Sequence, residues 1–418
     1  PPRSKGLGGF CVWACAVCSC SGYTALSDFR PSGEALQSLD LSVFCGVLVM
    51  QYKKLPRGDE QISVIGMGLG IVNSVEDGAA TIAHAMDLGV NFFDCCCAYE
   101  RSLDSLRLVF KDKSAPTYRD RSKAYTQLHL GASFKNGSYA FTRNLTKAKE
   151  VFLRELDYTG LGYTDFGMFH CVDEQKDLDF CLSHGWIDAL QEMKQQGLIR
   201  HLGFSTHTPD IAFQLLETNV FDLFMFSINA AFDYAKGEYS YGEIAERERL
   251  YRTAESKQVA ISVMKPFAGG QLLRKDTSPI GVALTHVQCL QYVLDRPAVI
   301  TTVPGAATPA EIEQCVHFCD ASKEERDYSV LAEATPSEAV GRCVYCNHCA
   351  PCPKKINVGL VNKYYDLALL GDDLARQHYM NLEHHASECN DCGHCDQRCP
   401  FKVAQMEKMH KIAEYFGV

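Results

Sequence analysis

Asp165-Phe166-Gly167-Met168-Phe169-His170 and, after a helical stretch over Ile187–Gln196, Ile199-Arg200-His201-Leu202-Gly203-Phe204-Ser205 read as strand, helix and strand. Short runs rich in Val, Ile and Phe alternating with amphipathic segments indicate βα units and a parallel sheet. The same alternation extends outward in both directions, from Ile62 to Ala321. Strands are expected at Ile62–Met67, Val90–Cys95, Ala124–Leu130, Asp165–Cys171, Arg200–Ser205, Leu223–Ile228, Ala260–Lys265 and Val299–Val303. Helices are expected at Ala80–Leu88, Leu145–Leu156, Pro209–Thr218, Glu246–Ser256, Val282–Leu294 and Pro309–Cys319. Thr208-Pro209 and Thr308-Pro309 supply an N-cap followed by a first-turn proline. Eight units over this length fit an α/β fold of the (β/α)8 TIM-barrel type, which takes about 250 residues. A doubly wound open sheet is the alternative. Gly66, Gly68 and Gly70 are spaced G-x-G-x-G, not G-x-G-x-x-G, and read as a tight turn rather than a dinucleotide loop.

Past the barrel the cysteines change meaning. Cys343, Cys346, Cys349 and Cys352-Pro353 form one run, and Cys389, Cys392, Cys395 and Cys399-Pro400 another. The second has the C-x2-C-x2-C-x3-C-P spacing of a two-cluster 4Fe-4S protein, in which the last cysteine of each run crosses to the other cluster. The first run is one residue short before its Cys-Pro, which sets Cys352 apart. Zinc sites take four ligands in two pairs rather than two runs of four. A disulfide framework is not needed by a chain of 418 residues, which can bury a large core. Helical character at Val361–Leu370 and Leu374–Ala386 makes the tail resemble the helical type of dicluster ferredoxin. The expected organisation is an untidy or disordered extension over 1–49, a barrel over 50–321, a linker over 322–341 and a mostly helical dicluster domain over 342–418.

The 41 basic against 51 acidic residues give a net charge of −10, with no long run of either sign. Nucleic acid is therefore not an expected partner. No stretch reaches the roughly 18–20 apolar residues of a membrane span. The apolar patch Phe10–Cys18 could pass for an export signal. Export would carry cluster thiolates to an oxidising compartment, so a reducing cytoplasm is expected.

Barrel chemistry collects where strands end. Standing there are Asp94 with Cys95, Cys96, Cys97 and Tyr99, then His129, His170, and Ser205-Thr206-His207. Asn91-Phe92-Phe93-Asp94 followed by Tyr99 resembles the second-strand signature of the aldo-keto reductase family. Asp165–His170 resembles its fourth strand, Ile199–Ser205 its fifth and Val303-Pro304-Gly305-Ala306 its eighth. The resemblance runs from Gln51 to Ala321. It implies transfer of a nicotinamide hydride to a small-molecule carbonyl substrate, with Tyr99 as general acid, Asp94 behind it and His170 orienting the carbonyl. The family's third-strand lysine is His129 here, and an imidazole is largely neutral at pH 7 unless Asp94 holds its proton. Pairing of His129 with Asp94 is therefore expected.

On the cofactor side the resemblance implies Ser205, Thr206, Asn229, Met264, Lys265, Gly305 and Ala306. Glu311 stands where a 2′-phosphate would meet a cation, which favours NADH over NADPH. Met264 aligns with a ring-stacking tyrosine, and Lys265 could reach a pyrophosphate or simply be solvated. The three consecutive cysteines are soft filler or a thiolate that binds metal or forms an adduct. Three functions remain open. They are one reaction shared by clusters and barrel, a reductase whose tail docks a redox-partner protein, and an electron carrier on a weakened barrel.

Overall fold

The computed structural model describes residues 49–70, 72–237, 239–334, 340–369 and 373–418. The expected extension, apart from Val49, and the centre of the expected linker lie outside them. A hairpin comes first, β1 (Tyr52–Lys54) against β2 (Gln61–Ser63). The parallel strands follow as β3 (Met67–Gly68), β4 (Phe92–Asp94), β5 (Tyr125–Leu130), then β8 (Thr164–Phe169), β9 (Ile199–Thr206), β10 (Leu223–Ser227), β11 (Ala260–Met264) and β12 (Val299–Thr302). Their order around the sheet is β12-β11-β10-β9-β8-β5-β4-β3, and parallel bridges Ile65–Thr302 and Gly68–Gly305 bring its two edges together. The fold is a (β/α)8 barrel.

The expected first strand, Ile62–Met67, is divided. Asn91 is the cause: its Oδ1 accepts from Ser63 N at 2.8 Å and its Nδ2 donates to Gln61 O at 2.8 Å, turning the chain before the barrel strand begins. The hairpin so held closes the strand-start end of the barrel, where Leu55 and Ile62 pack with Phe92, Phe166, Leu223 and Ile300. The glycines of the apparent dinucleotide loop serve closure. A Cβ on Gly66 would stand 2.8 Å from Phe92 O, and one on Gly68 3.0 Å from Val303 O.

One element was not expected. After β5 the chain forms β6 (Ala132–Lys135) and β7 (Ser138–Phe141), an antiparallel hairpin turning at Asn136-Gly137 with φ of 54° and 76°. Asn-Gly accepts these angles at both central positions, as a tight hairpin turn demands. β7 in turn bridges Tyr99 through Ser138.

Residues 340–418 add helices at Val358–Ala368, Asp373–Met380, His394–Arg398 and Gln405–Phe416 around a second core of Val361, Tyr379, Met409, Ile412 and Phe416. This helical part rests on the helix Ile244–Ser256 through Arg342–Glu248 (3.2 Å), Arg252–Tyr345 Oη (3.0 Å) and Lys363–Glu255 (2.6 Å). Arg252 and Glu255 lie in the last turns of that helix, which leads into the start of β11. Arg296, at the foot of β12, donates to Val344 O at 2.8 Å and to Tyr328 Oη at 3.3 Å. The contacts therefore gather where strands begin, a strand length, roughly 13–17 Å, from where they end. Among the described residues no helix is long and apolar enough to cross a membrane.

Arg296 is 6% exposed and sits 4.4 Å over the Tyr292 ring, beside half-buried Asp295. Arg296→Ala should cost about 1–3 kcal/mol, because it leaves Tyr292 O and Val344 O without the buried guanidinium that donates to them. An unchanged urea midpoint would refute this.

Candidate active site

Three strands and the added hairpin bring four polar side chains into line. Asp94 ends β4, His129 lies on β5, His170 follows β8 and Tyr139 is on β7. His129 Nε2 is 2.9 Å from Asp94 Oδ1, His129 Nδ1 is 2.9 Å from His170 Nδ1, and His170 Nε2 is 2.6 Å from Tyr139 Oη. Donor and acceptor accounting assigns the protons. A carboxylate at Asp94 requires His129 Nε2–H, so His129 Nδ1 accepts from His170 Nδ1–H and His170 Nε2 accepts the Tyr139 hydroxyl. Burial, with His129 and Arg143 nearby, holds His170 well below the ordinary imidazole range, so it passes protons rather than storing one. Burial also raises the Tyr139 phenol above its usual value, reinforced by Cys96 and Cys171.

The structure thus joins Asp94, His129 and His170, and it leaves Tyr99 outside. Tyr99 is 38% exposed with the Arg101 guanidinium 4.7 Å over its ring. The hydroxyl in the chain belongs to Tyr139, which sequence reasoning missed. Asn136-Gly137, the strongest short hairpin signal, was the clue available.

A second group stands beside the first. Asp173 accepts from Thr206 Oγ1 (3.0 Å), His207 N (2.6 Å), His207 Nδ1 (2.9 Å) and Cys171 Sγ (3.4 Å). Although burial opposes it, these bonds hold Asp173 down at about 2. His207 Nε2 meets Lys265 Nζ at 2.9 Å, and Lys265 Nζ lies 4.2 Å over the Tyr239 ring.

The cofactor-side residues are scattered in their commitments. Ser205 Oγ accepts from Cys171 N at 2.8 Å. Asn229 is fully buried, donating to Lys265 O at 2.9 Å and accepting from Phe232 N at 2.9 Å as a helix cap. Its carboxamide is not available to a nicotinamide amide. Met264 is partly exposed at the end of β11, Ala306 is buried, and Gly305 faces open space. Glu311 Oε2 accepts from Ala307 N at 2.7 Å.

At the far end the eight late cysteines line two cavities. Cys343, Cys346, Cys349 and Cys399 line one of about 260 Å³. Cys352, Cys389, Cys392 and Cys395 line the other, of about 350 Å³, and Cys349 lines both. The final cysteine of each run stands with the other run.

Glu155, 4% exposed, is pushed up to about 8 by burial, against the pull of Arg154. Folded, it keeps its proton to about pH 8, whereas the unfolded chain ionises near pH 4.3. Its contribution is therefore present in acid and lost as pH rises between these values. Glu155→Gln should match the parent at pH 4 and exceed it by about 2–4 kcal/mol at pH 8, at about 1.4 kcal/mol per pH unit. Parallel stability curves in urea would contradict this.

Comparison places these findings. The model of the aldo/keto reductase family matches residues 64–286. The uncharacterized oxidoreductase YqkF of Bacillus subtilis (strain 168) is 23% identical over 313 residues, covering 69% of this chain and 98% of that protein. The L-galactose dehydrogenase of Arabidopsis thaliana is 29% identical over 164 residues, 38% of this chain and 49% of that protein. In fold, the chain is similar to the holo form of aldo-keto reductase AKR11C1 from Bacillus halodurans, with a TM-score of 0.55 at 19% identity, over 69% of this chain and 97% of that one. The matched span holds the strands that carry Asp94, His129 and His170, and this chain belongs to the aldo/keto reductase family of oxidoreductases.

Proposed function

We propose that this oxidoreductase reduces a small carbonyl compound at the strand-end mouth, with NADH as the favoured hydride source, and holds two 4Fe-4S clusters that serve a separate redox-partner protein. The observation that carries it is the crossed division of the eight cysteines at the opposite end of the barrel. With Cys349, which borders both cavities, counted with its own run, four sulfurs fall to each cavity and each Cys-Pro is exchanged between runs, the donor set that a pair of cubes requires. Cys352, set apart by its spacing, stands with Cys389, Cys392 and Cys395 and fits that set. Bound there, clusters supply one-electron transfer, whereas a nicotinamide supplies a hydride.

At the mouth the chain's own groups manage the proton. When Asp94 takes up a proton, all three hydrogen bonds reverse and His170 Nε2–H points at the Tyr139 oxygen. The Tyr139 hydroxyl is then free to donate to a carbonyl oxygen, and the proton it gives up is replaced along the chain from Asp94. This positions the phenol without the lysine that the resemblance led one to expect. Gly305, which faces open space, leaves room for a dinucleotide to approach, whereas Ser205 and Asn229 already hold partners within the protein.

A second reading, an electron carrier on a weakened barrel, is favoured by the committed Asn229. Anaerobic titration of reconstituted protein with NADH separates them. Tight binding without bleaching of the brown absorption, together with carbonyl turnover, supports the proposal. Absence of binding supports the second reading, and rapid bleaching supports one shared reaction. Material with zinc in place of about eight iron and eight sulfide would exclude the clusters.

A further inference from the structure

The run Cys95-Cys96-Cys97 does not act as one unit. Cys95 and Cys97 are each 3% exposed and pack in the main core, whereas Cys96 meets the two imidazoles of the mouth. Cys96 Sγ and ring nitrogens of His129 and His170 all lie within 4.8 Å of one another, and both histidines are buried. The outward nitrogen of each ring is already held, His129 Nε2 by Asp94 at 2.9 Å and His170 Nε2 by Tyr139 Oη at 2.6 Å. The inward nitrogens, both Nδ1, face each other at 2.9 Å. Ligating histidines are held in this way, with the distal N–H on a carboxylate or another oxygen and the near nitrogen turned to the ion.

We propose that Cys96, His129 and His170 bind one divalent transition-metal ion of the zinc class through Sγ and the two Nδ1 atoms, leaving a fourth position open to the mouth. Zinc holds nitrogen at about 2.0–2.1 Å and sulfur at about 2.3 Å, so tetrahedral nitrogens stand about 3.3 Å apart. The two nitrogens need to part by about 0.4 Å, and each ring must turn so that its lone pair meets the ion rather than the facing nitrogen, with Cys96 swinging in. Three nitrogen and sulfur ligands with one open position is the pattern of a catalytic rather than a structural zinc site. The protons balance. The Cys96 thiol releases one proton to solvent, and His170 moves its ring proton from Nδ1 to Nε2, where it donates to the Tyr139 oxygen.

The neighbouring Cys171, Asp173 and His207 are equally close to one another but differ in what surrounds them. The Asp173 carboxylate already accepts four bonds, and His207 Nε2 meets the Lys265 ammonium at 2.9 Å. A second cation would meet a positive charge there. Around Cys96, by contrast, the one charged group bonded to the rings is the Asp94 carboxylate, and the nearby Arg143 is partly offset by its ion pair with Asp177.

The site goes beyond the carbonyl chemistry proposed above, and occupancy would interrupt it by separating the two Nδ1 atoms. The test needs no turnover. Cluster-loaded full-length protein is titrated anaerobically with Co2+ alone, followed by absorption and by metal content. The expected result is about one cobalt per chain beyond the iron, with a thiolate-to-cobalt band and four-coordinate d–d bands that Zn2+ displaces. Cys96→Ser should remove the thiolate band, and Asp94→Asn should weaken binding about 10–100-fold. Failure of the cluster-loaded protein to bind cobalt, or a thiolate band unchanged in Cys96→Ser, overturns the site. Either failure leaves the iron count and the NADH titration untouched, so it is distinct from failure of the proposed function.

Discussion

Tyr139→Phe should lower carbonyl turnover by about 10²–10⁴-fold, the range that a positioned proton donor contributes, while Tyr99→Phe should stay within a few-fold of the parent. The reason is geometric. The Tyr139 hydroxyl is 2.6 Å from His170 Nε2 and is the outer end of the chain that runs through His129 to Asp94. The ring is 41% exposed, so loss of one oxygen leaves no buried cavity and the fold should be retained. Tyr99, although it stands five residues after Asp94 as the family resemblance requires, lies under Arg101 and outside the chain. Steady-state kcat for a panel of short aldehydes and ketones gives the comparison. Loss of activity in Tyr99→Phe with retention in Tyr139→Phe would return the role to the residue that sequence singled out.

Cys399→Ser should strip the iron held by Cys343, Cys346 and Cys349 rather than that held by its own run. Iron should fall from about eight to about four per chain, as one four-iron cube is lost. The lesion should match that of Cys343→Ser in its electron paramagnetic resonance spectrum. Cys352→Ser should instead match Cys389→Ser. The grouping that predicts this is the lining of the two cavities, each taking its fourth cysteine from the opposite run. If Cys399→Ser and Cys389→Ser gave the same spectrum, the crossing would be wrong. Because Tyr379 and Phe416, stacked at 3.9 Å, pack with Val361 and Ile412 in the same core, the cap should retain much of its helix signal in these variants.

Much of the barrel was legible because its strands are local features. Thr164–Phe169 is buried along its whole length, and its run Phe166–Phe169 carries the apolar character of a strand covered on both faces, which a reader sees without any neighbour. The order of strand-end residues followed directly, and so did the proximity of His129 to Asp94, since adjacent parallel strands present their ends together. The first strand misled because Ile62–Met67 is mostly apolar and shows no break along its length. Asn91, almost thirty residues away, is what turns it, through bonds to Gln61 and Ser63.

The sequence by itself determined a repeating βα barrel, a family and a set of paired cysteines, because periodicity and spacing are written in neighbouring residues. Only the tertiary structure decided that Tyr139 rather than Tyr99 completes the polar chain, that Cys96 alone of three cysteines reaches the imidazoles, and that the cysteine-rich helices rest at the strand-start end. Those outcomes depend on which side chains long-range packing sets within 3 to 5 Å of one another, and separation along the chain carries no record of that distance.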